Sequence, residues 1–171
     1  TVLSGEEWSG PGRLMEITNP TDAASNTVNV VRTAIPFVSH EGLEVDASGA
    51  LYFVDEDHSG SIYKFVPTTW GDLSAGQSFV LKVTAFAGDA TKNWDDASNS
   101  GQSRVGAATW VAISDAAGTA AAPGIAQNPF SYTGTDSQVR LSSRRPGRIA
   151  ADEAGAAPYG RPEDIEMGRL A

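Results

Sequence analysis

A chain of 171 residues is long enough to bury one continuous core and falls in the range of a single domain. Its 21 acidic and 12 basic side chains leave a formal charge of −9, which provides no basic excess to displace counterions from nucleic acid and suits either solubility or divalent cations. The absence of cysteine excludes disulfides, thiolate metal sites and cysteine nucleophiles; with His40 and His58 as the only imidazoles, any metal held here is a hard, oxygen-loving one, calcium before magnesium.

The sequence opens at Thr1, with no initiator methionine and no basic-then-apolar leader, as expected of a processed form or a fragment. No apolar run approaches the roughly 20 residues that span a bilayer. Residues 13–18 have strand character and end at Asn19-Pro20, and residues 28–32 form a second short candidate.

Residues 42–86 are the best organised. Leu43 and Val45 alternate with Glu44 and Asp46, the period of two of a strand with one buried face. Asp46-Ala47-Ser48-Gly49 predicts a tight turn with Gly49 at positive φ. Leu51-Tyr52-Phe53-Val54 is a short apolar run expected to be covered on both faces. The Ser59-Gly60 turn leads to a third strand over residues 61–66, expected to stop at Pro67, and residues 79–83 supply a fourth. Four short antiparallel strands joined by tight turns form the unit of a propeller blade, and equally an ordinary meander of a sandwich or barrel.

Residues 88–106, rich in Asp, Asn, Ser and Gly, are expected as an exposed loop before strand character returns at 109–113. Residues 114–160 are dominated by Ala, Gly, Pro and Arg and predict a long irregular connection, with 150–157 compatible with a short helix. Arg140, Arg144, Arg145 and Arg148 are expected there as solvated residues or ion-pair donors, with phosphate or partner contact as the other reading. Residues 161–171 look like the start of a further blade. The expected fold is therefore all-β, a partial propeller of four-stranded antiparallel blades with long irregular loops in one domain over 1–171. A propeller needs at least about four blades of roughly 40 residues each, so the others are expected in further sequence or another chain.

Glu41, Glu44 and Asp46 on the first strand of this unit, with Asp55-Glu56-Asp57 ending the second, form the densest acidic constellation. A tight antiparallel hairpin brings the start of one strand beside the end of the next, so Ser39-His40-Glu41 is expected near Asp55-Glu56. Facing like charges destabilise a sheet unless a cation lies between them; a solvated hairpin end is the other reading. The spacing does not match an EF-hand loop. Arg161 and Glu163, flanking Pro162, form a second candidate, Arg161 for a carboxylate or a phosphate oxygen and Glu163 for a metal. Ser39 and His40 point to opposite faces of an extended strand, which argues against a serine hydrolase, and His58 beside its Ser-Gly turn is expected at the surface.

Three stretches then carry a resemblance: Val38-Ser39-His40-Glu41-Gly42-Leu43-Glu44-Val45-Asp46, Gly49-Ala50-Leu51-Tyr52-Phe53-Val54-Asp55-Glu56-Asp57 and Ser59-Gly60-Ser61-Ile62-Tyr63-Lys64-Phe65-Val66-Pro67. In that order they resemble the HE, paired-acid and GxxYxFVP run of PhoX-like alkaline phosphatases. Arg161-Pro162-Glu163-Asp164 looks like the RPE(D/N) motif of the same superfamily, and Gly12-Arg13-Leu14-Met15-Glu16-Ile17-Thr18-Asn19-Pro20 is similar in style.

The resemblance implies a six-bladed propeller whose funnel binds calcium and, in the phosphatase members, iron, and which hydrolyses phosphomonoesters. It implies export to the periplasm or the extracellular space. Carried over by motif, Glu41, Asp55, Glu56 and Glu163 are implied metal ligands, and His40 and Arg161 are implied supporting or catalytic residues. The cysteine that ligates iron in the active phosphatases has no counterpart in this sequence. The expected function is metal-dependent phosphatase chemistry on a phosphate ester or other small molecule. The alternatives are a non-catalytic, calcium-stabilised propeller acting as a binding or structural module and a lactonase-like propeller hydrolase.

Overall fold

Two antiparallel sheets supply most of the regular structure in the computed structural model, which describes residues 1–7, 11–131 and 145–168. The smaller sheet has the order β1-β2-β3, with β1 at Val2–Gly5, β2 at Leu14–Thr18 and β3 at Val28–Val31. Strand β2 ends where Asn19 turns the chain at φ 50°, a conformation Asn tolerates better than most residues. Leu14 is fully buried, while the Glu16 carboxylate accepts a 2.6 Å hydrogen bond from Arg32 Nε beyond β3. Strand β1 was not among the expected elements, because Leu3 and Val2 alone give too short an apolar pattern to register.

The larger sheet is a meander of five strands in the order β4-β5-β6-β7-β8: His40–Val45, Leu51–Asp55, Ile62–Thr69, Asp72–Val83 and Ala108–Ala112. Among the described residues neither sheet closes on itself. The predicted turn is present: Gly49 has φ 87°, its N–H donates to Asp46 O at 2.9 Å, and Asp46 Oδ1 accepts from Ser48 and Ala50. Strand β6 does not stop at Pro67, which pairs with Gly76. Strand β5 pairs with β6 only as far as Phe65, and a register shift between Pro67 and Thr69 loosens the ladder with β7, so a residue without an N–H is tolerated there. Strand β7 is also longer than its apolar residues suggested; pairing with β6 recruits the polar stretch from Ser74 to Ser78.

Phe53 and Tyr63 stack at 5.1 Å in the core, where Leu14, Ile35, Leu51, Phe65, Val80 and Ile113 join them. Helix α1, Pro146–Ala154, lies within the stretch expected to be an irregular connection and overlaps the segment 150–157 compatible with a short helix. It begins with proline in its first turn and ends at Gly155, whose φ of 77° closes the C-terminus. Small residues let it approach closely: a Cβ on Gly147 would lie 2.6 Å from Val38 Cγ1, and Ala150 and Ala151 are fully buried. Arg145 and Arg148 are buried with the helix instead of solvated, at 1% and 4% exposure. Arg140 and Arg144 lie outside the described residues.

The loop after β7 is exposed for most of its length but is fixed by one buried side chain. The Asn99 amide accepts from Asp89 N–H at 2.8 Å and donates to the carbonyls of Asp89 and Asn93 at 2.9 and 2.8 Å.

Candidate metal centre

The β4–β5 hairpin brings two acids to one edge. His40 pairs with Asp55 and Glu41 with Val54, and Glu56 N–H donates to Ser39 O at 2.8 Å, so Glu56 leaves β5 beside the start of β4. Strand β4 then bulges: Glu41 and Glu44 pair with Val54 and Tyr52, and the two residues between them, Gly42 and Leu43, oppose one. Gly42 accommodates the bulge with φ 50°.

The segment after β1 supplies a third acid. A Cβ on Gly5 would lie 2.4 Å from His40 Cβ, so glycine permits the close approach of β1 to β4. Beyond Gly5, His40 N–H donates to Glu6 O at 3.2 Å, and Glu7 O accepts from Ser39 Oγ at 2.7 Å and Arg145 Nη2 at 2.6 Å. With these backbones fixed, one carboxylate oxygen from each of Glu7, Glu41 and Glu56 lies within 4.8 Å of the other two.

The C-terminal segment completes the surroundings. Tyr159 N–H donates to Gly60 O at 2.9 Å and Arg161 N–H to Asp57 O at 3.0 Å, which lays this segment against the turn after β5. Arg161 adopts φ 51°, uncommon for a residue with a side chain, and its guanidinium pairs with the Glu56 carboxylate and lies 3.9 Å from Glu163. The chain then crosses Gly42, where a Cβ would lie 2.6 Å from Glu163 O and 2.8 Å from Ile165 N. Glu7, Glu41, Glu56, Glu163 and Asp164 line the resulting open cleft of about 330 Å³.

Charge crowding governs this cleft. The Glu7 carboxyl is pushed up to about 7 by its hydrogen bond to Glu56, by burial and by the nearby Glu56 and Glu41 charges, against the pull of Arg161. Burial pushes Glu56 up too, but the hydrogen bond from Glu7 and the Arg161 guanidinium hold it below its ordinary range. Opposite shifts of two neighbouring carboxyls mark a crowding of negative charge that a cation would relieve. Three carboxylates with two more acids at the rim form an all-oxygen donor set of the kind calcium takes.

His40 and Asp55 do not join this cluster. Each is next in sequence to a cleft acid, and alternation along the strand turns it inward. The His40 ring packs on Phe53 at 5.0 Å and donates from Nε2 to Pro36 O at 3.1 Å; burial holds it neutral, with its pKa down at about 3. Asp55 is fully buried, accepts Ser39 N–H at 2.8 Å and is pushed up to about 7, chiefly by burial, with Arg148 opposing and Asp57 adding repulsion. Arg148 donates to Ser61 Oγ at 3.2 Å and pairs with Asp152 at 3.1 Å. His58 is exposed, 3.4 Å from Asp95.

Glu7 and the inward-facing Arg145, which bonds its carbonyl, were not singled out as site residues from sequence. Asp164 could have been found, since it follows Glu163 in the motif already noted. Among the described residues no helix is long and apolar enough to cross a membrane.

An antiparallel β protein with a carboxylate cleft suited to a hard cation is the class that fold and site define. The chain belongs to the alkaline phosphatase PhoX family, a metal-dependent family whose model matches residues 7–169 and so spans all five cleft acids. No curated protein and no solved structure matches the chain.

Proposed function

We propose that this chain forms part of a calcium-binding propeller funnel in which a phosphomonoester is hydrolysed. The observation that carries this reading is the convergence of Glu7, Glu41 and Glu56, which start from three separate backbone segments. Glu7, Glu41 and Glu56 would hold the cation, with Glu163 and Asp164 at the rim. A bound calcium ion would supply Lewis-acid polarisation of a phosphoryl oxygen and neutralise charge built up during in-line attack. Arg161 presents a planar guanidinium at the same edge, suited to bidentate contact with phosphate oxygens. Asp55 and His40 support the site from beneath through Ser39 and Phe53 and take no direct part. Iron in active relatives uses a cysteine, which would have to come from outside these residues.

The outer face of the larger sheet supports further blades. Tyr52 and Trp110 meet edge-on at 5.8 Å under Lys64 Nζ, and Val66 and Trp70 nearby are exposed, an aromatic surface suited to packing against another sheet. Export to the periplasm or the extracellular space follows the general habit of the family.

Metal removal tests the reading. Chelation of the full-length polypeptide is expected to abolish hydrolysis of p-nitrophenyl phosphate, and added calcium is expected to restore it. The acid cluster equally suits a second reading, a calcium-stabilised module without chemistry. In that case chelation lowers the unfolding temperature while no turnover is seen at any calcium concentration.

A further inference from the structure

We propose that Ser39 and Arg145 are positioning residues that hold the carboxylate cluster in its metal-binding arrangement. The inference rests on the assignment of Glu7, Glu41 and Glu56 as ligands.

Ser39 is bonded through all three of its polar groups. Its hydroxyl donates to Glu7 O at 2.7 Å, its carbonyl accepts Glu56 N–H at 2.8 Å, and its own N–H donates to Asp55 Oδ1 at 2.8 Å. It also stands two residues before Glu41 on the strand entering β4. The backbones of the three clustered acids, Glu7, Glu41 and Glu56, are therefore referred to one fully buried serine.

Arg145 reinforces the most distant of these links. It reaches Glu7 O at 2.6 Å from the N-cap of α1, a contact between residues 138 positions apart. Its Cδ passes close to Gly12, where an added Cβ would lie 3.1 Å from that atom and 2.1 Å from Val38 O. The guanidinium is 1% exposed, and its Nε and Nη1 have no hydrogen-bond partner among the described residues. A buried cation with one side-chain hydrogen bond among the described residues is costly as packing alone, even beside the Asp55 and Asp57 charges. The cost is explained if that bond fixes Glu7 against the repulsion of Glu41 and Glu56. Among the described residues the Glu7 backbone has no strand pairing with the larger sheet, so the two donors on its carbonyl fix where its carboxyl meets Glu56.

The test is calcium titration by calorimetry on the metal-free full-length polypeptide, with unfolding in excess chelator measured separately. Arg145→Met is expected to weaken calcium binding by about ten-fold or more and Ser39→Ala by about five-fold, in the range of outer-shell substitutions at metal sites. Arg148→Met removes a buried cation from the same helix without touching a ligand, and is expected to lower the unfolding midpoint while leaving calcium affinity within about two-fold. Should Arg145→Met not fold, Ser39→Ala, which removes one hydroxyl without changing charge, decides the matter. Wild-type affinity in both variants, with weakened binding in Glu7→Gln, overturns the positioning role and leaves the site standing. Wild-type affinity in Glu7→Gln overturns the site itself.

Discussion

Replacing Glu41 with glutamine is expected to lower kcat/KM of the full-length polypeptide for a phosphomonoester by about 100-fold or more, the loss typical when a group stabilising transition-state charge is removed. The side chain keeps its shape and loses its charge. Glu41 makes no ion pair among the described residues, and its carboxylate accepts only a long contact of 3.5 Å from the adjacent Gly42 N–H there. Its removal therefore leaves the fold almost untouched, and the unfolding midpoint in chelator should match that of the wild type. Steady-state kinetics at several calcium concentrations check this: extra calcium should recover part of the lost rate, because the substitution weakens the site without blocking it. Undiminished turnover would remove Glu41 from the chemistry.

Gly60→Ala is expected to have the largest effect on stability, about 3 kcal/mol or more, or to prevent accumulation of folded protein. A Cβ at this position would lie 1.6 Å from the backbone oxygen of Asp55, far inside any real contact. Neither partner can yield readily. Asp55 is fully buried at the end of β5, and Gly60 pairs with Tyr159 in the bridge that leads to Arg161. Gly71→Ala is the comparison: it meets nothing within 4 Å and carries only the strain of φ 76°, so about 1 kcal/mol is expected. Urea unfolding of the two variants beside the wild type separates steric exclusion from backbone strain.

Much of the larger sheet was legible in the sequence because its signals are local. The alternation from Leu43 to Asp46, the turn at Gly49 and the run from Leu51 to Val54 specify a hairpin, and antiparallel pairing then places Glu41 near Glu56. The parity of the strand also held the distinction between Asp55 and Glu56: Asp55 lies on the same side as the buried Phe53, and Glu56 follows on the other. Glu7 left no such trace. Its place depends on the hydroxyl of Ser39 and on a guanidinium 138 residues away, neither of which any local pattern encodes. Helix α1 was obscured for a different reason. Its buried face is built from Gly147, Ala150, Ala151 and Ala154, whose small side chains give little apolar periodicity even though they pack closely. The length of β7 was hidden because pairing with β6, and not apolar content, makes its first half a strand.

The most direct measurement is anomalous diffraction from crystals of the full-length polypeptide grown with calcium. One ion should lie within about 2.6 Å of carboxylate oxygens from Glu7, Glu41 and Glu56 together. A calcium ion bound elsewhere, with these three carboxylates turned apart and facing solvent, would contradict the account.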